Sequence, residues 1–157
     1  MARVLITDAL ISDQAELLAM ARELLAFERT IRPSRRRSLL PASLVDGWLR
    51  ELREHEGRIL IARLDGRPVG FVRCLLRDDE LEEAPGELHV AELYVRDAAR
   101  GAGVGRALLG AVEEVARRAR VQRLTIDALV GNEGALRAYE ELGFAPAYVT
   151  YERELGA

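Results

Sequence analysis

The sequence predicts one α/β domain over residues 1–157, with elements in the order β-α-α-β-β-β-α-β-α-β, and three observations predict it. Apolar, β-branched runs of strand length recur along the chain. Between them, apolar residues return at three- and four-residue steps, the spacing of one helix face. A glycine-rich turn made by Gly101, Gly103 and Gly105 joins one such strand to one such helix. A chain of 157 residues is long enough for one core and short for two.

The elements follow in order. Residues 3–7 alternate as a first strand. Ser12 or Asp13 can cap the next helix, whose apolar stripe is Leu17, Leu18, Ala21, Leu24 and Leu25; Asp13 and Glu16 stand at capping-box spacing. Residues 28–40 break that pattern with Pro33 and with Arg32, Arg35, Arg36 and Arg37. A second helix, about residues 42–54, sets Leu44, Val45, Trp48, Leu49 and Leu52 on one side. Residues 59–64 and 69–76 form a hairpin across an Asp65-Gly66 turn. Cys74, among apolar neighbours, reads as a small core residue rather than a nucleophile. Residues 78–87 read as an acidic loop carrying Asp78, Asp79, Glu80, Glu82, Glu83 and Glu87. The central strand follows with Val90, Leu93, Tyr94 and Val95, then a helix over residues 103–120 with Val104, Leu108, Val112 and Val115 on one face. Residues 124–130 alternate as a strand, Asn132 opens a helix that Gly143 ends, and residues 148–154 make a last strand.

Composition narrows the function. About half the residues are apolar and 31% are charged, the balance of a soluble globular protein. A net charge of −3 argues against general nucleic-acid binding, which shows as a basic surplus. No apolar stretch approaches a membrane span, and residues 1–7 do not read as a signal peptide. A single cysteine permits no internal disulfide and fits the reducing cytoplasm. No His, Cys, Asp and Glu cluster has metal-ligand spacing, so no metal is expected. Every basic side chain is arginine, so the chain has no lysine to be acetylated.

Strand, glycine turn and helix together suit a phosphate group, because loop amides converge where a helix N-terminus already favours an anion. The dinucleotide fingerprint fails: counting from Gly101 the sixth position is Arg106, and from Gly103 it is Leu108. That failure disfavours a nicotinamide oxidoreductase. The Walker loop fails for want of a lysine. What remains is Arg100-Gly101-Ala102-Gly103-Val104-Gly105, an R-x-x-G-x-G run. It resembles the pyrophosphate-binding motif of the GCN5-related N-acetyltransferases (GNAT). Leu93-Tyr94-Val95 resembles the strand that those enzymes lay along the pantetheine arm of acetyl-CoA. Downstream, Asn132, Ala135, Tyr139, Gly143 and Phe144 stand as N-x-x-A-x-x-x-Y-x-x-x-G-F, which is similar to the second half of the same signature. Two motifs in the right order are far more specific than one glycine loop, and they span roughly the C-terminal half of the chain.

The resemblance implies a mixed, mostly antiparallel sheet flanked by helices, and an acetyl-CoA-dependent N-acetyltransferase acting by direct attack of a primary amine in a ternary complex. It also implies a homodimer. A non-catalytic acyl-CoA-binding regulatory module of the same fold is the alternative. By resemblance, the amides of residues 101–105 hold the pyrophosphate, with charge from Arg100 and Arg106. The N–H of Leu93 or Val95 polarises the thioester carbonyl, and Tyr139 stands near the sulfur as general acid. Tyr139 and Asn132 are seven residues apart, two helical turns, and share a face. Otherwise Tyr139 packs beside Leu136 and Leu142, and Asn132 is a plain helix cap.

The base is open among Glu92, His89 and water. Strand alternation sets Glu92 and His89 on opposite faces, so at most one of them looks into the acceptor cleft. His55 reads as solvent-exposed. The acceptor, a small-molecule or peptide amine, stays unnamed: the acidic loop suits a cationic amine, and the arginine cluster suits an acidic one.

Overall fold

A computed structural model describes residues 3–33, 41–54, 57–78 and 85–156. His55, three of the clustered arginines (Arg35, Arg36 and Arg37) and most of the acidic loop (Asp79, Glu80, Glu82 and Glu83) lie outside the described residues. The chain divides into two compact units, Met1–Asp127 and Ala128–Ala157.

The first unit holds β1 (Val4–Asp8), α1 (Gln14–Ile31), α2 (Pro41–Arg53), β2 (Gly57–Leu64), β3 (Arg67–Asp78), β4 (Pro85–Val95), α3 (Val104–Arg118) and β5 (Arg123–Ile126). They build one sheet in the order β1-β2-β3-β4-β5, antiparallel until β4 meets β5, which runs parallel to it. A parallel neighbour needs a crossover, and α3 supplies it.

Alternation along β3 sorts the two faces. Phe71 lies in the cluster with Leu17, Met20 and Leu24 of α1 and with Val45, Trp48 and Leu49 of α2. Its neighbour Gly70 points the other way: a β-carbon there would come within 3.4 Å of both Val104 and Leu108 of α3. The same β-carbon would lie 2.7 Å from the Tyr94 carbonyl oxygen, so the close approach of β3 and β4 requires glycine. The hairpin turn forms where expected, with Asp65 and Gly66 both at positive φ (50° and 79°), as a two-residue turn of the primed kind demands.

Several boundaries differ from expectation. α1 continues through Glu28 to Ile31, so the break begins at Arg32. α2 starts on Pro41, whose missing N–H costs nothing at a helix start. No Asp13–Glu16 capping box forms, because Asp13 turns its carboxylate back to the Leu10 N–H (2.9 Å) and across to Arg63 (2.6 Å). Asp78 and Glu87 belong to β3 and β4 rather than to a loop, and Arg77 pairs with Glu87 across them.

β5 ends at Ile126, four residues short of the expected Val130. In the second unit, α4 (Glu133–Glu141) is capped by Asn132, whose Oδ1 accepts from the Ala135 N–H at 3.2 Å. Gly143 at φ 90° closes it, and the Phe144 N–H donates back to the Tyr139 carbonyl at 3.0 Å. The expected last strand, residues 148–154, is absent: among the described residues no strand follows α4. Alternation shows what could pair, whereas a strand exists only where a ladder partner accepts it.

Candidate active site

The site is built from the point where β4 leaves β5. The β4–β5 ladder runs only from Glu87↔Arg123 to Val90↔Ile126. On the other side of β4, Arg73 pairs with Glu92 but the next residue, Cys74, pairs with Val90. Ala91 is therefore an extra residue, a bulge that bends the strand where β5 stops.

Beyond the bulge, the main chain of β4 has one free edge. The Arg96 N–H donates to the Val69 carbonyl at 2.8 Å, so residue 96 faces β3. In an antiparallel ladder successive residues bond alternately toward and away from the neighbour, which sends the backbone groups of Val95 and Leu93 outward and those of Tyr94 toward β3. Arg100 agrees with this: its Nε reaches the outward Val95 carbonyl at 3.1 Å. The Leu93 and Val95 amides are thus presented on the edge that β5 leaves open.

The chain then turns through Asp97–Ala99 and the glycine run into α3. Gly101 and Gly103 take positive φ (80° and 78°), and Gly103 is the N-cap of α3, so no side chain caps that helix. Its first turn contains no acid and instead carries Arg106. Arg106 is exposed and engages no described residue. A helix start normally prefers a capping oxygen and negative charge. This one offers first-turn amides, an open N-cap and a free guanidinium, the complement of an anion. Gly105 differs from the other two: its φ is not positive, and a β-carbon there would meet only Val95 Cγ2 at 3.9 Å. The fold does not require it.

Arg100 is less free. It pairs with Asp97 at 2.8 Å and lies 5.3 Å over the Phe27 ring, bracing the end of β4. The Tyr94 hydroxyl donates to Glu23 of α1 at 3.0 Å, and Arg96 holds the same carboxylate at 3.3 Å. Burial, with Glu23 adding to it, pushes the Tyr94 phenol up to about 12.

The base candidates come out differently from expectation. Glu92 and His89 lie on the same face, not opposite ones. Their partners on β3, Arg73 and Leu75, are two residues apart, and the Ala91 bulge between the candidates shifts the alternation by one. Glu92 is buried and takes both Nε and Nη2 of Arg73, which also binds Glu51 of α2 and lies 5.5 Å over Trp48. Burial opposes the Arg73 charge, and the Glu92 and Glu51 carboxylates outweigh it, holding the guanidinium above its ordinary value. An acid held this way has little freedom to take a proton from substrate.

His89 is buried too, with Nδ1 2.9 Å from Thr125 Oγ1 and Nε2 3.5 Å from Asp127 Oδ2. Burial, aided by Arg77, holds its imidazole below the usual value, and Asp127, Glu87 and Glu92 oppose that shift. It stands three ladder steps from Leu93, about 10 Å along the strand. His89 thus stands away from the Leu93 amide, and the Glu92 carboxylate is directed to Arg73.

Sequence reasoning missed Arg73, Thr125 and Asp127. Arg73 carried a signal, a charge inside an otherwise apolar strand run, whereas Thr125 and Asp127 acquire meaning only once the β4–β5 register is known. In the second unit, the Tyr139 ring lies 6.0 Å from that of Phe144, tilted by 59°, and burial pushes its phenol up to about 12. Asn132 spends its side-chain oxygen on the helix cap. Among the described residues no three His, Cys, Asp or Glu side chains gather as metal ligands would, and no helix is long and apolar enough to cross a membrane.

Comparison with known proteins points one way. The profile of the acetyltransferase (GNAT) family matches residues 18–144. An uncharacterised N-acetyltransferase of Methanocaldococcus jannaschii is 32% identical over 100 residues, covering 62% of this chain and 42% of the relative. An aminoglycoside N(6')-acetyltransferase type 1 of Stenotrophomonas maltophilia is 35% identical over 96 residues, covering 59% of this chain and 63% of that protein. The matches thus span less than two thirds of either relative. Among solved structures, the ribosomal-protein-alanine N-acetyltransferase of Brucella melitensis biovar Abortus 2308 shares the fold, with a TM-score of 0.74 at 22% identity, over 98% of this chain and 100% of that one. So does AAC(6')-Iy, solved with the bisubstrate analogue CoA-S-monomethyl-acetylneamine, with a TM-score of 0.73 at 19% identity, over 98% and 99%.

Proposed function

The chain belongs to the GNAT acetyltransferase family, and on that premise we propose that it transfers an acetyl group from acetyl-CoA to a primary amine by direct attack in a ternary complex. The observation that carries this reading is the start of α3: an N-cap glycine at positive φ, first-turn amides without a capping side chain, and Arg106 where an acid would be usual. Those groups suit the pyrophosphate, at residues 101–106. The outward amides of Leu93 and Val95 suit the carbonyl oxygen and the pantetheine arm.

Acetyl-CoA supplies an activated acyl group when bound. Everything else falls to the chain. Leu93 or Val95 donates an N–H toward the carbonyl oxygen, an interaction that strengthens as charge builds there. Tyr139, kept neutral by burial, holds the proton destined for the departing sulfur. With Glu92 engaged by Arg73 and His89 about 10 Å along the strand from Leu93, the acceptor amine loses its proton through water.

The aminoglycoside relative supports a small-molecule amine as acceptor. We further infer one domain over residues 1–157, acting as a homodimer in the cytoplasm, with neither nucleic acid nor membrane as partner. The engagement of Glu92 favours a second reading, an acyl-CoA-binding regulatory module. A thiol-release assay on a panel of amines separates the two. Acetyl-CoA-dependent CoA release that falls in Tyr139→Phe supports the enzyme, and binding without turnover on any amine supports the module.

A further inference from the structure

We propose that Thr125 and His89 form a clasp where β4 and β5 part, and that this clasp positions the free edge of β4 for the acyl donor. The positioning half of the proposal rests on the functional reading above. The two residues are direct register partners, one step before the ladder ends at Val90↔Ile126. Nδ1 of His89 lies 2.9 Å from Thr125 Oγ1, and Nε2 lies 3.5 Å from Asp127 Oδ2. In the clasp as proposed, Nε2 carries the hydrogen, facing a carboxylate that only accepts, and Nδ1 accepts from the threonine hydroxyl.

The placement gives that bond its purpose. A ladder of four residues offers few main-chain bonds, and immediately beyond it the Ala91 bulge turns β4 so that Leu93 and Val95 face outward. The side-chain bond ties the two strands at the step from which they diverge, and the buried ring shields it from water. Thr125 is a positioning residue in this scheme, acting through His89 on the amides that meet the ligand. Among the described residues, the charged groups that act on the ring are Arg77 on β3, Glu87 and Glu92 on β4, and Asp127 after β5. Burial and Arg77 keep the ring neutral at neutral pH, which preserves the acceptor at Nδ1.

The chain has two histidines, so nitrogen-15 labelling of histidine gives a two-residue spectrum that His55→Gln assigns. The native spectrum is expected to show His89 as the neutral Nε2–H tautomer at neutral pH. Thr125→Val, which keeps the β-branched shape of the strand, is expected to speed amide exchange at Val90 and Ile126. It should also raise the acetyl-CoA Kd, each by about tenfold, the upper range for one lost neutral hydrogen bond. Thr125→Ser is expected to restore both.

An imidazolium or an Nδ1–H tautomer in the native chain overturns the clasp, and so does native exchange in the valine variant. Faster exchange with an unchanged Kd overturns the positioning role. A native chain that binds no acetyl-CoA overturns the functional reading and the positioning role with it, while the imidazole spectrum and the exchange rates still decide the clasp. Should the valine variant not fold, the native tautomer and the serine variant decide it.

Discussion

Asp13 shows how one side chain can be stabilised against its own burial. Burial favours the neutral acid, and the Leu10 N–H and Arg63 overcome that, holding its carboxyl below the usual carboxylate range. A depressed value in the folded state adds stability above the ordinary value of about 3.9, and that stability is lost as pH falls through the folded value. Asp13→Asn is therefore expected to cost roughly 1.5–3 kcal/mol at neutral pH, the worth of a hydrogen bond to a charged group. The gap from the native chain should close on acidification below about pH 3.9, as urea unfolding at several pH values would read. On the proposed function, Tyr139→Phe is expected to lower kcat by about 10²-fold or more while leaving the acetyl-CoA Kd within about twofold, the mark of a proton donor rather than a binding group. Residue identities of this kind were partly legible in the sequence. Glu92 stood out as an acid beside Leu93-Tyr94-Val95, but its partner Arg73 is nineteen positions away. Only the β3–β4 register reveals that Glu92 is engaged.

At the level of elements, periodicity placed α1, α2, α3 and five of the strands to within a few residues, because each turns one face inward, whereas α4, none of whose residues is buried, was placed by its caps at Asn132 and Gly143. Periodicity failed where something other than burial decides. The Ala91 bulge leaves no apolar signature, yet it reverses the expected relation of His89 and Glu92 and frees the edge of β4. Residues 148–154 alternate well and form no strand among the described residues, since alternation carries no information about the partner. Gly70 was likewise silent in sequence, being one glycine in an apolar run. Its place 2.7 Å from the Tyr94 carbonyl predicts that Gly70→Ala must separate β3 from β4 or strain them. A loss of about 1–3 kcal/mol is expected from overpacking, with the greatest gain in amide exchange on those two strands.

For the molecule as a whole, Cys74 offers a built-in reporter. It is the only cysteine, it is 1% exposed, and burial pushes its thiol up to about 11 against the pull of Arg58 and Arg73. Labelling by a thiol reagent at neutral pH is expected to be at least about a thousandfold slower in the native chain than in denaturant. Fast native labelling would mean that the sheet opens readily around β3. The family was legible in the sequence because its signature lies in backbone-determined positions, the glycines before α3 and the capped helix α4. The acceptor was not, because the acidic run and the arginine cluster suit amines of opposite charge, and most of both lies outside the described residues. The most direct test of the whole reading is calorimetric titration with acetyl-CoA of the native chain beside Gly105→Glu. An acid in the first turn of α3 suits the helix dipole, and the fold has room for a β-carbon there, so the variant should melt with the native chain. Saturable binding by the native chain that weakens at least about tenfold in Gly105→Glu is the predicted result, since the new charge faces the phosphates. Equal binding by both chains, or none by the native chain, would contradict the assignment of this helix start as the acetyl-CoA cradle.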